Sequence, residues 1–227
     1  MHKFEFQSIA KKLKISGIEN FIANNMAADA ALVVSGVPAL WQGRFRSHGF
    51  AVYAQYHDYW IDTLIAPGRA YSDFNFLPEA DCAAASEVTV ACRGRSRGFE
   101  GESPQWFMEW LRGENDLHNP AVLIRRMNNR IAGLACTATY AHGSKRGAVA
   151  WVRLMAVHPD FQGRGIGKTL LMQTLQYGAE HGAKRAFLHA DTENPAALRI
   201  YKSAGFLPRK GEGQTDMIWK NESCFDC

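Results

Sequence analysis

Residues 158–171 read HPDFQGRGIGKTLL, so Gly163, Gly165 and Gly167 alternate with side chains just ahead of Lys168 and Thr169. Residues without a Cβ let the backbone come close to a ligand. Backbone N–H groups at the start of a helix point outward as anion donors, and the helix dipole reinforces them. Such a string is a phosphate cradle in outline, with Arg164 and Lys168 adding positive charge at its rim.

Spacing decides which phosphate loop it is. A Walker A loop needs a glycine five positions before the Gly-Lys-Thr end, and Gln162 stands there. A dinucleotide fingerprint starting at Gly163 or Gly165 needs its third glycine at Lys168 or Leu170, and neither is glycine. What remains is Q-x-x-G-x-G over 162–167, lying between a strand-like run and a helix-like run. That placement suits a pyrophosphate.

The elements that hold this loop are legible from residue 120 onward. Apolar or β-branched runs at 121–127 and 130–141 flank Asn128-Asn129, the pattern of a hairpin. After a turn at 142–147, residues 148–157 are apolar on both faces except for Arg153, which predicts a central strand. Ile166, Leu170, Leu171, Thr174, Leu175 and Ala179 recur at helical spacing, and Gly182 closes that helix. A strand follows at 184–191. Asn194 and Pro195 then give an N-cap and first-turn proline to a helix that runs to Ala204 and stops at Gly205. Residues 215–221 form a closing strand. The predicted fold is a mixed α/β sheet: three antiparallel strands, helix, strand, helix, strand.

The first hundred residues give weaker signals. Residues 18–34 read as helix, 50–66 as one or two aromatic strands, and 78–94 as helix or helix then strand. Ser103-Pro104 caps a short helix that carries Trp106, Phe107, Trp110 and Leu111. Phe50, Val52, Ala54 and Tyr56 alternate as in a half-buried strand, for which core packing and a substrate wall are both open readings.

Composition narrows the class. A chain of 227 residues with 47% hydrophobic residues can build one large domain or two small ones. No signal-peptide core and no membrane-spanning run is read from it, so a cytoplasmic protein is expected. The net charge of +4 comes without a long basic run, which favours a polyanionic small ligand over nucleic acid. Five cysteines are not a disulfide framework. Cys224 and Cys227 form a C-x-x-C with no second pair and no nearby histidine, so no metal site is expected.

The strings VRLMAVHPDFQGRGIGKTLL and NPAALRIYKSAGF, in this order, resemble the signature of the GCN5-related N-acetyltransferase superfamily. The resemblance covers roughly 102–220 and is strongest over 148–206. It implies acetyl-CoA as donor, with its pyrophosphate on Gln162, Gly163, Arg164, Gly165, Ile166, Gly167 and Lys168. Its pantetheine arm would lie along the backbone of Met155, Ala156 and Val157 like another strand, which asks for a splay or bulge there. His158 reads as structural, and Pro159 ends the strand. Asn194 is a helix cap, alone or while also approaching the pantetheine.

The resemblance further implies that Tyr201 gives a proton to the departing CoA thiolate. A phenol of ordinary pKa, about 10, can do so at neutral pH; a core tyrosine is the alternative. Attack by a primary amine of a small molecule or peptide would be direct, with no covalent enzyme intermediate, and Cys136 reads as core. The glutamate that serves as base in one well-known arrangement is missing: residues 148–159 hold no Asp or Glu, and Trp151 takes its place. Asp191, Glu102, Glu100, His142 or a chain of waters are the candidates. Residues 102–227 would form the acetyltransferase domain. Residues 1–101 would form an α/β extension on the substrate side or a degenerate copy of the same fold. A catalytically silent acyl-CoA-binding sensor or interaction module is the competing reading.

Overall fold

The chain opens with a strand, a broken helix and a second strand, so of the residues 18–34 read as helix, 18–25 are helical and 32–34 are strand. In the computed structural model, which describes residues 2–25, 31–113 and 117–220, β1 (His2–Glu5) leads into α1 (Phe6–Asn25) and then β2 (Leu32–Ser35). Gly17, at φ 77° and ψ 168°, breaks α1 in the middle. Leu32, Val33 and Val34 are fully buried, so both faces of β2 are covered. A short apolar run of that kind has no periodicity to separate strand from helix. β2 pairs with β1 in parallel and with β8 (Leu207–Trp219) in antiparallel register, Val34 lying opposite Met217.

These elements, with α2 (Ala39–Ser47) and the first part of β3 (Ala51–Ile61), make one compact unit from the described residues of 1–57, 191–193 and 211–220. Phe6, Phe21, Phe45 and Phe50 fill its core. Residues 50–66 contribute a single strand rather than two.

The other unit, 58–190 with 194–210, contains α3 (Cys82–Ala91), α4 (Pro104–Arg112), β4 (His118–Met127), β5 (Arg130–Tyr140), β6 (Ala148–Val157), α5 (Ile166–Glu180), β7 (Ala183–Asp191) and α6 (Pro195–Ser203). β4, β5 and β6 form an antiparallel meander, and β6 pairs with β7 in parallel. The 58–61 end of β3 lies beside β7. β6 is therefore central, as its two-sided hydrophobicity predicts.

Helices cover the two faces of this sheet. On one face, Leu171 and Leu175 of α5 pack with Ala150, Val152, Ala186 and Leu188. On the other, Val88 of α3 and Phe107 of α4 pack with Val122, Ile124 and Leu134. Ser103 Oγ accepts from the Trp106 N–H at 3.1 Å and caps α4 as its sequence predicts.

Gly178 sets how closely α5 approaches β6, because a Cβ there would overlap the Cβ of Ala150. Glycine inside a helix ordinarily costs ~1 kcal/mol relative to alanine, so a side chain at this position would normally help. Here overpacking outweighs it. Gly178→Val is expected to destabilise the protein by about 3 kcal/mol, read as a lower midpoint in chemical denaturation; an unchanged midpoint would contradict this account of the contact.

Candidate active site

β6 is irregular at the point where the loop chemistry needs an opening. Its pairing with β5 runs from Tyr140↔Val149 to Thr137↔Val152, then resumes at Cys136↔Leu154, so Arg153 is an extra residue and the strand bulges there. The parallel pairing with β7 also stops at Val152↔Leu188, although β7 continues to Asp191. Residues 154–157 of β6 are thus paired on the β5 side and without a β7 partner. A bulge shifts the side-chain alternation by one residue. Accordingly Leu154 and Ala156 join the cluster under α3 and α4, while Met155 and Val157 join the cluster under α5.

The glycine loop begins where this open edge ends. His158 Nδ1 accepts from the Asp160 N–H at 3.3 Å and caps the single turn Pro159–Phe161, a structural role. Gln162 Nε2 donates to the Val157 carbonyl at 2.9 Å, and Cys92 Sγ reaches the same oxygen at 3.3 Å. Of the three residues expected along the pantetheine, Val157 therefore already has its carbonyl satisfied by its own chain and Ala156 lies opposite Leu134 in a hydrogen-bonded pair with β5, which leaves Met155 to carry the edge.

The three glycines are there for two different reasons. Gly163 and Gly165 both have φ 77°, a left-handed conformation, and a Cβ on either would meet no atom within 4 Å. Gly167 is buried, and its Cβ would lie 3.3 Å from Ile200 Cδ1 and 3.6 Å from Val157 Cγ2, so it lets α5, α6 and β6 meet. Gly165 is the N-cap of α5 and brings no side-chain acceptor. The first-turn amides of α5 have no intrahelical partners, and the exposed residues 162–165 lead directly into them. Arg164 is tethered to the Asp160 carbonyl at 3.4 Å, and Lys168 is exposed. An open backbone cradle with an uncapped helix behind it fits a diphosphate.

Asn194 caps α6: its Oδ1 accepts from the Ala197 N–H at 3.2 Å, and its Nδ2 donates to Ser96 Oγ at 3.2 Å. Two turns along, Tyr201 packs in the same cluster as Phe206, with ring centroids 6.2 Å apart. Burial pushes its phenol up to about 12, which keeps the hydroxyl protonated. Cys136 is fully buried and its thiol is pushed well above the usual range by burial, as suits a core residue rather than a nucleophile.

The expected bases are dispersed. Asp191 is buried, its Oδ1 accepts the Glu193 N–H at 3.0 Å, and it belongs to the smaller unit. Glu100 pairs with Arg93 at 3.0 Å. Glu102 is held through its backbone, its N–H donating to Thr89 Oγ1 at 2.9 Å and its carbonyl accepting from Ser86 Oγ at 2.7 Å. His142 contacts Thr139 Oγ1 at 2.8 Å just past the end of β5, near the start of β6 and away from the loop that follows β6. Cys224 and Cys227 lie outside the described residues.

A carboxylate that sequence reasoning did not select stands closer to the bulge. Trp106, Glu109, Trp110, Trp151 and Arg153 line a cleft of about 270 Å³. Trp106 and Trp110 stack at 5.5 Å, Trp110 meets Trp151 edge-on at 5.9 Å, and the Arg153 guanidinium lies 5.7 Å from the Trp106 and Trp151 ring centres. Glu109 is exposed, with Oε1 accepting from Gln105 Nε2 at 2.9 Å. The available signal was the Trp-x-x-x-Trp spacing of α4 beside the single charge of β6, although nothing in either string places them together.

An irregular central strand leads into an exposed glycine loop at the start of α5, and an aromatic cleft lies beside its bulge. Residues 89–206 match the family model described as the Acetyltransferase (GNAT) family, and the chain belongs to that family. Similar proteins include an uncharacterized N-acetyltransferase of Methanocaldococcus jannaschii, 28% identical over 45% of this chain and 44% of that protein. A mycothiol acetyltransferase of Thermobifida fusca is 33% identical over 37% of this chain and 27% of its own length. The match therefore spans less than half of either relative. In fold, the chain is similar to a GCN5-related N-acetyltransferase from Sphaerobacter thermophilus, with TM-score 0.64 and 18% identity over 94% of this chain and 68% of that one. Among the described residues, no helix is long and apolar enough to cross a membrane, and no cluster of three or more His, Cys, Asp or Glu could hold a metal.

Proposed function

We propose that this protein is an acetyl-CoA-dependent N-acetyltransferase that acetylates a primary amine by direct attack. The observation that carries this reading is the coincidence of the Arg153 bulge, the end of β6–β7 pairing and the uncapped start of α5. Acetyl-CoA supplies an acetyl group activated as a thioester. The backbone of Gly163, Arg164, Gly165, Ile166, Gly167 and Lys168 binds the diphosphate, with Gln162 holding the loop to the strand end. The open edge at Met155 orients the pantetheine arm, and Asn194 fixes the start of α6. Tyr201 holds a proton at its hydroxyl for the departing sulfur. The tryptophan cleft offers the acceptor an aromatic wall. Glu109 is the exposed carboxylate on that cleft wall, and it takes the ammonium proton directly or through a water.

The mycothiol acetyltransferase relatives align with about a third to a half of this chain, so the acceptor is argued from the cleft and not from their name. The lack of a carboxylate on β6, where Trp151 stands, favours one competing reading, a protein that binds acyl-CoA without turning it over. Free thiol release from acetyl-CoA across a panel of small amines and short peptides separates the two. Turnover with at least one amine is expected; saturable CoA binding with no turnover on any amine would establish the silent module instead.

A further inference from the structure

One face of the larger unit's sheet carries a second set of groups with no assigned role. Val149 of β6 lies beside Arg185 of β7, and Trp151 lies beside Phe187, so these side chains share the face that bears the tryptophan cleft. Trp60 of β3 packs on Phe187 at 4.8 Å between ring centres. The guanidinium groups of Arg185 and Arg209 lie 5.6 Å and 4.3 Å from the centre of the Trp60 ring. Arg146, from the turn before β6, joins Arg185, Arg209 and Asp62 around a pocket of about 430 Å³.

The charges of this pocket do not cancel. Among the described residues, Asp62 is its one acidic lining residue and pairs with Arg209, while the Arg185 Nη2 donates to the Gly147 carbonyl at 3.2 Å. Beneath the pocket, Arg185 Nε and Trp60 Nε1 are buried and have no acceptor among the described residues. Buried donors without acceptors are rare because each costs a desolvation penalty. An oxyanion seated here would offset the arginine excess, and the planar guanidinium groups favour carboxylate or phosphate geometry.

We infer that this pocket binds a carboxylate or phosphate group borne by the acceptor, so that the substrate is an amine with an anionic far end. Arg185 is two residues along from Trp151 and one strand across. At ~3.3 Å per residue and ~4.8 Å between strands, the oxyanion then lies on the order of 10 Å from the amine in the cleft. This inference rests on the acetyltransferase reading above for the identity of the reacting end.

The test is a length series of straight-chain ω-amino carboxylates, each compared with its neutral ω-amino amide, in the thiol-release assay. The acid is expected to show a KM at least tenfold below that of its amide at chain lengths spanning about 10 Å. Arg185→Gln and the exposed Arg146→Gln are each expected to collapse that ratio towards one while leaving turnover of a neutral amine intact. Equal KM values for acid and amide, or a ratio unchanged in both variants, would overturn the inference and leave the transferase reading standing. If no amine is turned over, the pocket is read separately by thermal stabilisation with inorganic phosphate, with CoA present to fill the glycine loop. Stabilisation weaker in Arg185→Gln than in the unaltered protein keeps the anion site and removes only its link to catalysis, and equal stabilisation removes both.

Discussion

Gly165→Glu is expected to lower coenzyme A affinity at least a hundredfold while the protein remains folded. Gly165 sits at φ 77°, and a Cβ there would meet no protein atom within 4 Å. The structural cost is therefore backbone strain, about 1–2 kcal/mol for a residue with a Cβ in the left-handed region. An acidic side chain at a helix N-terminus returns about 0.3–1 kcal/mol of that. The net loss is small against a total stability of about 5–15 kcal/mol. Binding has no such compensation, because the new carboxylate takes the place of the diphosphate before the first-turn amides and repels it. Gly165→Ala separates the two effects: it carries the same strain without the charge and is expected to bind far better than the glutamate variant. Calorimetric titration with CoA, alongside a thermal melt of each variant, checks this. Unaltered affinity in Gly165→Glu would remove the loop from the cofactor site, and the enzyme reading would lose its foundation.

Tyr201→Phe is expected to reduce kcat by about 10²- to 10³-fold, the usual worth of a positioned proton donor, with CoA affinity within a few-fold of the original. The change removes one oxygen from a ring that packs beside Phe206, so the fold is retained. The pH behaviour makes the role specific. Since burial raises the phenol from 10 to about 12, the donor stays protonated through any practical assay pH. The rate is then expected to rise with pH as the acceptor amine loses its proton, with no alkaline fall below about pH 11 caused by this residue. The same shift acts on stability. The folded state holds the proton more tightly than the unfolded state, so this contribution is full below pH 10 and is lost as pH rises towards 12. Tyr201→Phe is expected to flatten that alkaline decline. A variant with undiminished kcat would make Tyr201 a core residue only.

Local order in the chain was legible wherever a residue's own chemistry settles its conformation. Asn194-Pro195 and Ser103-Pro104 start helices in the structure as their capping chemistry predicts. The two-sided apolar run at 148–157 is a central strand. Residues 18–34 misled because Leu32, Val33 and Val34 are buried on both faces, and a strand covered on both sides has no period to display. The break at Gly17 is a single-residue event inside a helical composition.

By itself the sequence determined the backbone of the loop after β6, because glycines at 163, 165 and 167 between a strand and a helix constrain it locally, and their spacing departs from the Walker A and dinucleotide patterns. Tertiary structure alone decided where the strand opens, which residues face the opening and what surrounds it. The Arg153 bulge comes from register against β5. The cleft joins Glu109 and two tryptophans of α4 to Trp151 and Arg153 of β6. The arginine pocket gathers Asp62, Arg146, Arg185 and Arg209 from four separate segments. Conformation at a glycine is a property of that residue and its neighbours, whereas a site made from distant strands exists only after their pairing has fixed which side chains share a face.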